Sequence, residues 1–248
     1  RQELLRFLHR NPETREKLRR LALIAADIQR LRSALEDVKC ENERHYVYVG
    51  LMAAVADFYG LAASVPDAGG VLLKRFGAGF RRAAADGEWQ TIASEAQALR
   101  EKADEARRET FRTSGDNLWM RREFGESYVD RLTRCAQELG LPETRKKRDT
   151  SIRLDARMVN ALARLYPDSF LAFKAFFEKN GTKFDETILS YRFELNFYLE
   201  ALKLMDRIQA AGLPLCWPVS ASEKKLDIRG LRDISLLLKG GVEIIPND

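Results

Sequence analysis

The sequence predicts a mainly α-helical protein, with a multi-helix core, a long antiparallel lever or coiled-coil arm, and a short β-containing segment near the C-terminal end. Three observations lead to this fold class. Ala, Leu, Arg and Glu are abundant, whereas 7 prolines and 15 glycines are few for 248 residues. Apolar residues recur at three- and four-residue spacing through most of the chain. Only after residue 221 do short clustered or alternating apolar segments, typical of strands, replace that spacing.

The N-terminal part of the chain contains three successive helical segments. Asn11-Pro12-Glu13 is a typical helix start, and the apolar seam after it predicts a helix over about residues 12–40. A second helix is predicted over 42–65, because the residue before a proline disfavours helix. A third, shorter one is predicted over 71–85. Its Gly77-Ala78-Gly79 run is interpreted as close helix packing, since no strand precedes it as a nucleotide-binding loop would require.

From Trp89 to Ala106 the apolar positions follow a strict heptad seam, and nearly every other residue from Glu95 to Glu109 is charged. A stripe this narrow is typical of a coiled coil. It would touch one partner along a line and leave the body as an arm. The pattern therefore predicts a mobile lever over residues 88–110, with a plain bundle helix as the alternative.

The densest positive charge in the sequence is the cluster of Arg145, Lys146, Lys147 and Arg148. It follows an irregular region in which one helix is predicted at about 124–139. Clustered cations gain affinity for phosphate by releasing counterions, so this cluster is the candidate nucleic-acid contact. The alternative is a solvated loop. The net charge of +5, from 42 basic and 37 acidic residues, does not decide between the two.

Helices are also predicted over 155–165 and 168–180, followed by the most apolar segment of the chain at 188–208. Two apolar rows run along this last segment. The first row is Ile188, Tyr191, Leu195, Tyr198, Leu202 and Met205, and the second is Leu189, Phe193, Phe197, Leu204 and Ile208. Together they cover most of the circumference, which predicts a central helix enclosed by several partners. Gly212 and Pro214 end it.

Glu194 is predicted to be buried, because helical geometry places it between the two apolar rows of residues 188–208. An unpaired buried carboxylate is costly. Glu194 is therefore expected to pair with an Arg or Lys of a neighbouring helix, to accept backbone N–H bonds, or to take up a proton. This is a structural role. A catalytic acid is the alternative, but no partner residues for it lie nearby in the sequence.

Several classes of protein are disfavoured by composition. Cys40, Cys135 and Cys216 are odd in number and form no C-x-x-C pair, so neither a disulfide framework nor a zinc site is predicted. A cytoplasmic location is expected, without a signal peptide or an apolar run of about 18 residues that would span a membrane. His45 is assigned a solvated or capping role, since the other histidine, His9, is far away in the sequence, and no catalytic or metal site is predicted.

The C-terminal third carries a resemblance to a known family. RFELNFYLEALKLMDRI at 192–208, GLPLCWP at 212–218 and DISLLLKGGVEIIPND at 233–248 occur in this order. Their order and spacing resemble the MutS-like mismatch-repair ATPase superfamily, specifically a bacterial branch of MutS-like proteins. In that superfamily a long core-and-lever helix returns to the nucleotide-binding domain, whose opening strands lead toward the P-loop. Over residues 1–180 the resemblance is architectural only.

The resemblance implies a helical core and lever over residues 1–220, with a clamp or connector at about 112–155, and the start of a nucleotide-binding domain over 221–248. The full-length protein would be an ATPase that binds ATP and Mg²⁺, forms a homodimer and acts on DNA. This chain contains no G-x-x-x-x-G-K-[ST], so no catalytic, nucleotide-binding or metal residue is carried over. It begins without Met and is expected to be a fragment.

The function expected from the sequence is therefore that of a non-catalytic core and lever fragment, which transmits conformational change and contacts DNA. The alternative is a self-contained helical scaffold or protein-interaction module with no nucleic-acid role. A hydrolase or metal enzyme is disfavoured, because no histidine or cysteine cluster accompanies the carboxylates.

Overall fold

The computed structural model describes residues 1–106, 110–114, 117–121, 154 and 156–217, and this part of the chain is mainly helical, as predicted. The helices are α1 (Gln2–Arg10), α2 (Pro12–Glu36), α3 (Glu41–Ala63), α4 (Val71–Ala84), α5 (Gly87–Ala106), α6 (Ala156–Leu165), α7 (Pro167–Asn180) and α8 (Ile188–Ala210). An antiparallel hairpin pairs β1 (Thr110–Ser114) with β2 (Asn117–Arg121), with Thr110 opposite Arg121 and Ser114 opposite Asn117. The predicted helix at 124–139 and the strands after 221 lie outside the described residues.

Local signals place the helix ends close to their predicted positions. Pro12 occupies the first turn of α2, and Asn11 is the N-terminal cap residue. The Asn11 side chain does not bond to the first turn of α2. Its amide donates instead to the carbonyl of Phe7 at 2.7 Å, which ties α2 to the preceding helix α1. The helix α1 precedes the first helix that the sequence predicts.

The helix at the centre of the bundle is α3, and the prediction of a central helix at 188–208 is wrong. Five helices pack against α3, namely α2, α4, α5, α6 and α7. The six consecutive residues from Leu51 to Ala56 are all buried. At 100° per residue, such a run covers the whole circumference. Its alanines allow neighbouring helices to approach from every side, and its side chains form the middle of the core.

One side of α8 packs against α2 and α1, and the other side faces away from the bundle. Its first apolar row is buried or partly buried, as predicted. The second row is only partly covered, since Phe193 is 71% exposed and Phe197 is 50% exposed. The apolar rows were correctly read from the sequence, but apolar character alone did not show which row has a neighbour.

Glu194 is exposed, so the prediction that it is buried is wrong. Its side chain is 59% exposed and forms an ion pair with Arg1, with 3.9 Å between Arg1 Nη2 and Glu194 Oε1. The physical reason is the one-sided packing of α8, which leaves the position beside Phe193 in solvent. A pair this exposed contributes little to stability. The predicted structural role of Glu194 in docking a central helix therefore does not hold.

The predicted seam of α5 is buried, but more than one helix covers it. Ile92, Ala96, Leu99, Ala103 and Ala106 are inside, and α5 packs mainly against α3 and α7 and also contacts α4. Arg100 Nη1 lies 2.7 Å from an Asp57 carboxylate oxygen on α3, and Lys179 Nζ lies 3.5 Å from Glu95. Residues 87–106 thus pack as a bundle helix, which was the alternative interpretation. A lever that continues beyond Ala106 stays a prediction.

By length and composition alone, α3 is long and apolar enough to cross a membrane, so the expectation that no such run occurs is wrong. In the structure 56% of its most apolar window is buried by other helices. A fully enclosed core helix is expected to be apolar on all sides. Its position at the centre of the bundle accounts for its composition.

Candidate nucleic-acid interface

The predicted nucleic-acid contact at Arg145, Lys146, Lys147 and Arg148 lies outside the described residues, as does the motif at 233–248. Within the described part, another concentration of positive charge lies on α4. This helix reads VLLKRFGAGFRRAA, with four cations and no acid. The helix α6 also has no acid, but it carries only two cations, Arg157 and Arg164. The four cations of α4 are visible in the sequence, although no prediction was made from them.

The core side of α4 determines which of its cations face solvent. Leu73, Gly77 and Phe80 are the buried residues of this helix. Arg75 and Arg82 are seven residues apart, so they lie on the same outward side about 10.5 Å from each other along the axis. Lys74 is the third exposed cation, and Val71 and Leu72 are exposed beside it. We call Lys74, Arg75 and Arg82 the α4 basic face.

The cations of the α4 basic face have no ion-pair or hydrogen-bond partner among the residues that the structure describes. By contrast, several cations on α2 lie beside a carboxylate that neutralises them. These α2 pairs are Lys17 with Glu13, Arg19 with Glu16, Arg30 with Asp27, and Arg32 with both Glu36 and Glu186. Charge that no acid neutralises is charge that remains available to a polyanion.

Arg81, the fourth cation of α4, anchors the helix to the bundle. Its Nη1 donates to the carbonyl oxygens of Ala63 at 3.3 Å and Val65 at 3.1 Å, and its Nη2 pairs with Asp67. These groups belong to the last turn of α3 and the loop that follows it. Arg81 therefore satisfies carbonyls at the end of α3 and fixes the position of α4.

Close packing at Gly77 holds α4 against the same loop. A Cβ at this position would lie 3.1 Å from the carbonyl oxygen of Val65, which is backbone and cannot move aside easily. The interpretation of Gly77 as a close-packing residue is confirmed. The same interpretation of Gly79 is wrong, because a Cβ there would meet open space. The helix runs unbroken through both glycines, so neither belongs to a nucleotide-binding loop.

The N-terminal end of α4 is in contact with α1. Gly70 precedes the helix with a φ of 98°, in the left-handed region that favours glycine. A Cβ at Gly70 would lie 2.7 Å from the Glu3 carboxylate, so this acid already lies at the start of α4. A carboxylate there is favourable for the helix dipole. The basic residues lie further along the helix, on its outward side.

The histidine that was assigned a solvated or capping role is buried. His45 is 5% exposed, and its ring lies 5.1 Å from that of Phe177. Burial lowers the pKa of His45, because the protonated form loses its hydration. No group of three or more His, Cys, Asp or Glu able to hold a metal ion occurs among the described residues.

Comparison with protein-family models, with curated proteins and with solved structures gave no match for this chain. The resemblance to MutS-like ATPases therefore rests on the sequence segments alone. The chemistry offered by the described surface is electrostatic. It consists of a rigidly anchored helix whose outward cations are free to contact phosphates.

Proposed function

We propose that this chain is a non-catalytic core and lever fragment of a MutS-like DNA-repair ATPase, and that it contacts DNA and transmits conformational change. The observation that carries the DNA contact is the α4 basic face, three outward cations on a helix without any acid. The resemblance over residues 192–248 supports the assignment of the chain to the MutS-like family. On this proposal the full-length protein is a cytoplasmic homodimer that binds ATP and Mg²⁺ and does not associate with a membrane.

The α4 basic face is better suited to contact the phosphate backbone of DNA than to recognise its base sequence. Lys and Arg side chains bind phosphate oxygens through charge, and such contacts position a protein on DNA without reading its sequence. Binding by counterion release weakens as salt rises, with a slope of about 0.9 for each phosphate neutralised. Three cations on α4 thus predict weak binding that depends strongly on salt. The cluster at 145–148 is proposed to add to it.

Fluorescence anisotropy with a short DNA duplex tests this function. The full chain is titrated at salt concentrations from about 50 to 200 mM. Replacing Lys74, Arg75 and Arg82 together by Ser is expected to weaken binding about tenfold or more and to lower the salt slope by about 1 for each residue replaced. A second variant replaces the four residues at 145–148 by Ser.

A control variant removes the same charge from cations that already pair with acids. Arg19, Arg30 and Lys203 each lie beside a carboxylate and are replaced together by Ser. This variant is expected to change affinity much less than the α4 variant. Equal losses in the two variants would show that only net charge matters, and the proposed α4 contact would be rejected. Binding that is insensitive to salt would reject phosphate contact altogether.

A specific observation favours the second candidate function, a helical scaffold or protein-interaction module. Phe193 and Phe197 form an exposed apolar patch on α8, and large apolar side chains in solvent are typical of surfaces that bind proteins. Absence of any DNA binding, together with self-association that Phe193→Ser and Phe197→Ser abolish, would favour this function over the first. Sedimentation measurements on the full chain distinguish the two outcomes.

A further inference from the structure

A concave cavity of about 280 Å³ opens where α2, α3 and the turn between α7 and α8 meet. Its apolar lining consists of Leu35, Leu51, Phe177 and Phe184, with the ring of Tyr48 beside them. A cavity of about 150 Å³ in another protein is known to hold benzene. The cavity is therefore large enough for a substituted ring, and its lining is of the type that binds one.

Most polar side chains in this lining already have partners. The Tyr48 hydroxyl donates to the carbonyl of Asn180. Arg32 donates through Nε and Nη2 to Glu186 at 3.0 and 2.7 Å, and through Nη1 to Glu36 at 3.0 Å. The Glu186 carboxylate is therefore already neutralised by the Arg32 guanidinium. A ligand would gain little by displacing them.

Two lining groups have no hydrogen-bond partner among the described residues, the Thr182 hydroxyl and the charged side chain of Arg44. Arg44 lies at the mouth of the cavity. Its guanidinium makes no hydrogen bond to any residue that the structure describes, and Glu41 Oε1 is 3.9 Å from its Nη1. An i,i+3 surface pair at that distance is weak. Arg44 therefore keeps a planar fork of donors that matches a carboxylate, beside an apolar surface that matches a ring.

The turn between α7 and α8 leaves the cavity open. Gly181 follows α7, and a Cβ there would lie 2.8 Å from the carbonyl oxygen of Phe177. A larger residue would strain this turn and push against the Phe177 ring. The glycine thus lets the chain pass close to Phe177 without filling the space above it.

We propose that this cavity binds a small organic acid with a ring-sized apolar body, held by its carboxylate on Arg44. The ring lies between Leu35, Phe177 and Phe184, which are partly exposed, and the carboxylate accepts two hydrogen bonds from the guanidinium. This binding is independent of the proposed DNA contact, because α4 does not line the cavity. The step is reversible association without any covalent chemistry.

The probe is 3-phenylpropionate, and its neutral amide 3-phenylpropanamide is the matched ligand without charge. Each is titrated into the full chain, and backbone amide shifts are followed by NMR. A ligand of this size is expected to bind with a dissociation constant on the order of 1 mM. Shifts are expected at residues 44–51 and 181–186, and the amide is expected to bind at least about tenfold more weakly.

Arg44→Gln is expected to weaken binding of the acid about tenfold and to leave binding of the amide unchanged. The control is Arg19→Gln, since Arg19 forms a similar i,i+3 pair with Glu16 at 3.8 Å but does not line the cavity. Circular dichroism verifies that both variants fold. Failure to saturate, equal binding of acid and amide, or unchanged acid affinity in Arg44→Gln would each overturn the proposal.

Discussion

At the scale of single residues, Tyr48 joins the central helix to the end of α7. Its ring is buried in the core, and its hydroxyl donates to the carbonyl of Asn180. Burial raises the pKa of Tyr48 to about 12, because the ionised form would lose its hydration. The Asn180 side chain donates in turn to the Phe176 carbonyl at 3.1 Å. These bonds satisfy carbonyls at a helix end that is itself buried.

Tyr48→Phe is expected to lower the free energy of unfolding by about 1 to 2 kcal/mol, because the Asn180 carbonyl loses a buried donor while the ring stays in place. Urea denaturation measures the change. Tyr59→Phe is the control, since the Tyr59 ring packs against Phe80 and Trp89 and its hydroxyl has no hydrogen bond among the described residues. It should change stability by less than about 0.5 kcal/mol. Equal effects would contradict a stabilising Tyr48 bond.

His45 is expected to make stability depend on pH. Burial lowers its pKa in the folded protein, whereas an unfolded chain has a histidine pKa of about 6.5. The unfolded state therefore binds more protons, and stability rises with pH across this interval. The contribution is present above about pH 6.5 and is lost as the pH falls toward the lowered folded value. His45→Gln should reduce the loss of stability between pH 7 and 5, as measured by urea denaturation. An unchanged loss would show that His45 has the same pKa in the folded and unfolded states, and that burial does not lower it.

At the scale of helices, the sequence predicted the ends well and the packing less well. Asn11-Pro12 and Tyr166-Pro167 are local signals, so α2 and α7 begin where expected. Whether a helix is enclosed depends on which other helices reach it, and periodicity within one segment does not contain that information. For this reason α8 was assigned the central position that α3 occupies. Glu194 was then placed in an apolar environment that the actual packing does not create.

Substitutions on the two sides of α8 should therefore differ in their effect. Leu202 is fully buried, and Leu202→Ala is expected to cost about 2 to 5 kcal/mol of unfolding free energy. Phe197→Ala removes a larger side chain, but one that is half exposed and lies beside Arg1. Its cost should be about 1 kcal/mol or less. Similar large costs for both, in urea denaturation, would mean that the outer side of α8 is covered in solution.

At the scale of the whole molecule, the candidate nucleic-acid surface depends on both sequence and fold. The absence of acids in α4 is visible in the sequence, but the pairing of Arg32 on α2 with Glu186 on a distant segment is not. The fold places some cations beside carboxylates, which neutralise them, and leaves other cations able to contact a polyanion. Within the part of the chain that the structure describes, no acid neutralises Lys74, Arg75 or Arg82, because α4 packs through Leu73 and Phe80 on its opposite side. A count of net charge could not have made this distinction.

The same architecture predicts an order of stability against local opening. Amide hydrogen exchange should be slowest in α3, especially over Leu51–Ala56, because helices cover it on all sides and it can open only when the bundle does. Exchange in α8 should be faster, since one side faces solvent. Mass spectrometry of peptides from the full chain resolves these segments. If α8 proved as protected as α3, a further layer would have to cover Phe193 and Phe197. In that case α8, like α3, would be buried on all sides.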